Sequence, residues 1–117
     1  MTETSSGKSL LVVVASDPRA SHRAAEAIRL AAGVAAWRKV AVTLYFTGPA
    51  VAAVSADCDD FVDEESYTRY LPMFVESGGR LYVESTGSAS SAELPHEKMS
   101  LQQFAALASK MTYLLRF

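Results

Sequence analysis

Leu10-Leu11-Val12-Val13-Val14 and Val40-Ala41-Val42-Thr43-Leu44-Tyr45-Phe46 are two continuous apolar runs rich in β-branched residues, with a helical pattern between them. Runs that are apolar at every position suit strands buried on both faces, which is the mark of parallel pairing. The intervening segment opens on Ser16-Asp17-Pro18. Asp17 is a good N-cap, and Pro18 at the first helical position lacks only an N–H that would find no helical partner there. The spacing predicts a helix from this point to about Trp37. Ala20, Ala24, Ala27, Ile28, Ala31 and Ala35 make one apolar stripe, small enough to let a helix lie close to a sheet. Arg19, His22, Arg23, Glu26 and Arg29 fall mostly elsewhere, and Gly33 is a mild cost within the helix. Strand, helix and strand form a βαβ unit, whose crossover is almost always right-handed.

The same alternation continues downstream. Thr47-Gly48-Pro49 ends the second strand, and residues 50–56 are small and apolar, fit for a short helix or a lid. A helix pattern follows with Tyr67, Tyr70, Leu71, Phe74 and Val75 on its apolar face. Pro72 is placed to kink or break it, and Gly78-Gly79 marks its end. Leu81-Tyr82-Val83 is the third strand. Residues 85–93 are rich in Ser, Gly and Ala and read as a loop or weak helix, which Pro95 continues as a break. Ser100 and Gln103 have capping-box spacing and open a short helix with Leu101, Phe104, Ala105 and Leu107 inward. Met111 to Leu115 is the last strand. The predicted class is α/β, with a mostly parallel sheet of four or five strands and helices on both faces. It forms one domain over residues 9–117, behind a flexible tail at residues 1–8.

Composition narrows the function. A chain of 117 residues, half hydrophobic and 21% charged, can bury one core and reads as a soluble globular protein. A net charge of −2 leaves no basic footprint for nucleic acid or an anionic membrane. No apolar run reaches membrane-spanning length, and residues 1–8 lack the charged start of a secretory leader. The single cysteine, Cys58, excludes an intrachain disulfide framework and a multi-cysteine metal site. It suits a reducing compartment, so a cytoplasmic location is expected.

Open α/β sheets place ligands beyond the C-terminal ends of their strands. Here that edge holds Ser16, Arg19 and His22 after the first strand, Thr47 and Gly48 after the second, and Glu84, Ser85 and Thr86 after the third. His22 and Glu84 are a conceivable acid–base pair, although His22 reads better as an exposed surface histidine. Ser85-Thr86-Gly87-Ser88 could offer backbone N–H groups to an anion, but it has neither the phosphate-loop lysine nor the dinucleotide glycine pattern. Cys58 is the only sulfur nucleophile, and Asp57, Asp59 and Asp60 beside it disfavour a thiolate. Together with Asp63, Glu64 and Glu65 these acids offer oxygen ligands. A calcium loop starting at Asp57 would need Gly and Glu where Val62 and Thr68 stand. A solvated acidic loop ahead of a helix N-terminus fits better. No metal and no cofactor are expected.

The β-α-β-α-β-α-β order ends in a strand, and three stretches carry a further resemblance. They are Thr47-Gly48-Pro49-Ala50-Val51 after the second strand, Gly78-Gly79-Arg80-Leu81-Tyr82-Val83, and the ending from Leu101 to Phe117. Over roughly residues 9–117 the chain resembles the DsrE/DsrF-like family of small sulfur-relay proteins. The resemblance implies trimers or hexamers, as a homo-oligomer or as a hetero-oligomer with related subunits, and cytoplasmic sulfur transfer with sulfur-relay partners. In the family's sulfur carriers a cysteine stands at the C-terminal end of a late strand and accepts a persulfide sulfur. Only a sulfur nucleophile forms that S–S bond. Glu84 and Ser85 occupy the corresponding place here. The expected protein is therefore a non-catalytic or divergent binding or partner subunit. The alternatives are an active carrier using Cys58, a small-ligand or anion-binding module, and an enzyme using His22 and Glu84. Tyr67, Tyr70, Phe74 and Tyr82 are expected in the core or at a subunit interface.

Overall fold

The structure, a computed structural model, describes residues 8–54, 61–84 and 97–117. Five strands form one sheet: β1 (Ser9–Val14), β2 (Ala41–Phe46), β3 (Arg80–Glu84), β4 (Glu97–Met99) and β5 (Tyr113–Arg116). Their order is β4-β3-β2-β1-β5 and every pair is parallel. The helices are α1 (Arg23–Trp37), α2 (Leu71–Glu76) and α3 (Leu101–Ala108).

Alternation along the strands builds two cores. On one face Leu10, Val12, Val14, Val42, Leu44, Phe46, Leu81 and Val83 pack against α1 and α2. On the other, Leu11, Val13 and Tyr45 pack with Met99 and with Phe104 and Leu107 of α3. The α/β class with helices on both faces is thus present, with five strands. In α1 the buried residues are Ala24, Ala25, Ala27, Ile28, Ala31, Ala32 and Ala35. Six alanines let the helix sit close to the sheet, and Ile28 is its one large anchor, contributing roughly 1.5–3 kcal/mol by burial.

Helix α1 starts at Arg23, five residues after the expected Pro18. Asp17 does not cap it. Its Oδ1 accepts the Arg19 N–H at 3.0 Å, and its carbonyl takes the N–H groups of Ala20 and Ser21, each at 3.1 Å. Asp-Pro therefore closes a separate turn, and Ala20 is exposed instead of joining the stripe. Pro72 acts as expected, with a definite geometry. Lacking an N–H, it cannot continue an α-helical ladder from the turn before it. Residues Ser66–Tyr70 widen into a π-helical turn in which Leu71 N–H reaches back to Ser66 C=O, and α2 restarts from there.

Gly78 (φ 95°) ends this helix. A Cβ on Gly79 would lie 2.4 Å from the Phe74 ring, so the chain needs glycine there to turn closely under the helix into β3. The capping box is complete: Ser100 Oγ accepts the Gln103 N–H at 3.1 Å and Gln103 Oε1 accepts the Ser100 N–H at 2.9 Å. Phe104, Leu107 and Ala108 face the sheet, whereas Ala105 is exposed. The last strand runs two residues later than expected at its start, and Met111 packs beneath α3. Strand β4 was not anticipated. It adds Tyr82↔Glu97 and Glu84↔Met99 pairing to the β3 edge. Residues 1–7 and 85–96, which include most of the expected tail and the Ser-rich loop, lie outside the described residues.

Candidate functional site

The register places Val83 beside Phe46, so Glu84, one step on, lies beside Thr47 at the C-terminal edge of the sheet. Its carboxylate accepts hydrogen bonds from the Thr47 hydroxyl and, at 3.2 Å, from the Gly48 N–H. Gly48 has φ 60°, a left-handed conformation that suits glycine and aims its N–H back at the carboxylate. Thr47 N–H in turn donates to Val14 C=O at 3.0 Å. One carboxylate and one threonine thus bind together the ends of β3, β2 and β1.

Tyr45 lies two residues before Thr47 and on the same face of β2. Its ring stacks on Phe104 with centroids 4.4 Å apart. The side chain is 1% exposed, and its hydroxyl finds no hydrogen-bond partner among the described residues. Burial first, and the nearby Glu84 charge second, push the phenol above its ordinary value of 10.0.

The loop after β1 forms the other bank. Ser16 is half-buried. The Arg19 guanidinium stands 5.1 Å over the Phe61 ring, and Phe61 meets Tyr67 edge-on at 4.8 Å. Val62 N–H donates to Pro18 C=O at 2.8 Å. These contacts fasten the chain at 61–62 to the loop after β1. His22 Nδ1 is 3.4 Å from Glu26 Oε2, one helical turn on, and both side chains are well exposed. Such a pair adds little stability. Cys58, Ser85 and Thr86 lie outside the described residues.

Of the residues anticipated from sequence, the structure joins Thr47, Gly48 and Glu84 directly. Arg19 goes with Phe61, and His22 goes with Glu26. Tyr45 and Phe61 were not anticipated as neighbours of the edge. The two-residue spacing of Tyr45 and Thr47 on one strand was the available signal for the first. Phe61 carried none, since its role depends on a contact far along the chain.

Two clefts lie at the opposite, N-terminal edge. One of about 320 Å³ is lined by Arg38, Val40, Ser77 and Gly79, and one of about 240 Å³ by Arg80, Tyr82, Leu107 and Met111. The first flanks the C-termini of α1 and α2 and the second those of α2 and α3, and helix carbonyl ends favour cations such as Arg38. Among the described residues no three His, Cys, Asp or Glu side chains gather to hold a metal. No described helix is long and apolar enough to cross a membrane.

No protein-family model matches the sequence, and no curated protein matches it. Among solved structures the chain is similar to the ychN protein of E. coli, at 15% identity and a TM-score of 0.73, covering 94% of this chain and 99% of that one. The likeness is one of fold, and it agrees with the single-domain α/β architecture that the sequence led us to expect.

Proposed function

We propose that this chain is a DsrE/DsrF-like binding or partner subunit related to intracellular sulfur transfer, acting in an oligomer and without covalent chemistry of its own. The observation that carries the reading is the state of Glu84. It stands at the strand end where the family's carriers place their cysteine, and it accepts hydrogen bonds from Thr47 and Gly48 within its own chain. That position serves to join strand ends. Residues 16–22, 47–48 and 84 form the face offered to a partner or small ligand. The oligomer is a trimer or hexamer, of this chain alone or with related subunits, in the cytoplasm.

The test is the intact mass of the reduced protein before and after a persulfide donor, beside an authentic carrier and the Cys58→Ser variant. No added sulfur is expected while the authentic carrier loads. A stoichiometric gain of one sulfur atom, absent in Cys58→Ser, refutes the reading.

That result would favour the carrier alternative on Cys58, which one observation supports. Phe61, three residues on, is fastened to Arg19 and to the loop after β1 at the same sheet edge. In that reaction the Cys58 thiolate attacks the outer sulfur of the donor persulfide. A new S–S bond forms, the donor's S–S bond breaks, and the donor leaves as a thiolate.

A further inference from the structure

Strand β5 closes one side of the sheet and, among the described residues, pairs with β1 alone. Tyr113, Leu114 and Leu115 are 50%, 50% and 41% exposed, so neither helical layer covers this strand. Natural edge strands are guarded by lysine, proline or a bulge. Tyr113-Leu114-Leu115 has none of these.

The backbone phase of β5 follows from two hydrogen bonds. Phe117 N–H donates to Val13 C=O at 2.8 Å, and Ala15 N–H donates to Phe117 C=O at 2.9 Å. Successive residues of a strand point their backbone groups to opposite sides. Tyr113 and Leu115 therefore turn theirs toward β1, and Leu114 and Arg116 turn theirs outward. The side chains alternate as well. Leu10↔Tyr113 and Val12↔Leu115 place Tyr113 and Leu115 on the α1 face, and Leu11↔Leu114 places Leu114 on the α3 face.

From this we infer that β5 pairs antiparallel with β5 of a second copy, about a two-fold axis through Leu114 perpendicular to the sheet. That axis keeps the α1 layers of both copies on one side, so paired residues must share a face. Centred on Leu114, the pairing lets the two Leu114 residues exchange both outward hydrogen bonds. Tyr113 lies opposite the partner's Leu115 on one face, and Leu114 opposite the partner's Leu114 on the other. Every exposed apolar side chain of the strand meets an apolar one, as stabilising cross-strand pairs do. Shifting the axis to Leu115 would set Leu114 against Arg116. The chain is thus self-complementary in hydrogen-bond phase, face and side-chain character at one register, which an isologous contact between identical copies requires. The inference deepens the oligomeric part of the reading above, in which a two-fold contact fits the hexamer and not the trimer, and stands apart from sulfur transfer.

The register makes the test specific. Opposed residues that do not exchange hydrogen bonds have Cα atoms about 4.5 Å apart, within disulfide reach. In a Cys58→Ser background, Tyr113→Cys and Leu115→Cys are oxidised separately and mixed, and the products are weighed. Predominantly mixed covalent dimers are expected, together with loss of the two-fold species in sedimentation of Leu114→Arg. A monomeric parent protein overturns the inference. So does an oligomer indifferent to Leu114→Arg, which would leave the oligomeric reading standing on another face. Homodimeric crosslinks in preference to mixed ones overturn it too.

Discussion

Replacing Tyr45 by Phe should stabilise the protein. The Tyr45 side chain is 1% exposed and its hydroxyl has no hydrogen-bond partner among the described residues. Burying such a group unpaired costs about 1–3 kcal/mol, because water satisfies it in the unfolded chain. Removing the hydroxyl leaves a very small void, worth roughly 0.3 kcal/mol at the usual cost per unit of cavity volume. The stack on Phe104 remains. The balance is a gain of about 1 kcal/mol or more, or a Tm higher by ~3–6 °C for a domain of this size. The effect also has a pH signature. An acid whose folded pKa is raised keeps its proton in the fold while the unfolded chain loses it. The parent protein therefore loses stability as pH rises above 10.0, the unfolded phenol's value, and is unaffected below it. Tyr45→Phe lacks this loss, so its advantage should widen above that pH. Thermal unfolding followed by circular dichroism at pH 7 and above pH 10 measures both effects. A Tyr45→Phe protein less stable than its parent by 1 kcal/mol would show that the hydroxyl has a partner after all and sink the argument.

Gly79→Ala should destabilise the protein by about 1–3 kcal/mol, because its Cβ would drive into the fully buried Phe74 ring; urea denaturation reads the loss directly. Ser100→Ala removes the acceptor for the Gln103 N–H and should cost about 1 kcal/mol. Restoring a cap with Ser100→Asp should recover most of it, which a general intolerance of the position would not allow. The persulfide-loading and cysteine-crosslinking experiments above test the functional readings.

What could be read from the sequence was the part set by neighbours along the chain. The β-branched runs at 10–14 and 40–46 supplied β1 and β2 because nearly every position is apolar enough for both faces of a sheet. The stripe Ala24–Ala35, the Gly78-Gly79 stop and the Ser100 capping box were legible for the same local reason. Asp17-Pro18 misled because one signal serves two structures. An aspartate that can cap a helix can also close a turn, and here it holds Arg19 instead. Strand β4 was invisible because Glu97-Lys98-Met99 has no strand character of its own and is extended by pairing with β3. At the candidate site, Thr47, Gly48 and Glu84 followed from strand ends in a parallel sheet. The unpaired Tyr45 hydroxyl and the Arg19–Phe61 contact depend on packing across the fold, which spacing along the chain does not encode.

Strand β1 lies between β2 and β5, yet β5 is the last of the described strands along the chain. Ser9 and Thr112 exchange hydrogen bonds across 103 residues of chain. During synthesis β1, α1 and β2 can assemble early, and for all that time the growing sheet ends in β1 itself. That temporary border exposes the backbone groups of Leu11 and Val13, residues almost wholly buried in the finished fold. Until β5 has been added, the nascent protein carries an unpaired apolar margin along β1. Ribosome stalling or proteolytic clipping just short of β5 would hold it in that form, with this border open to aggregation.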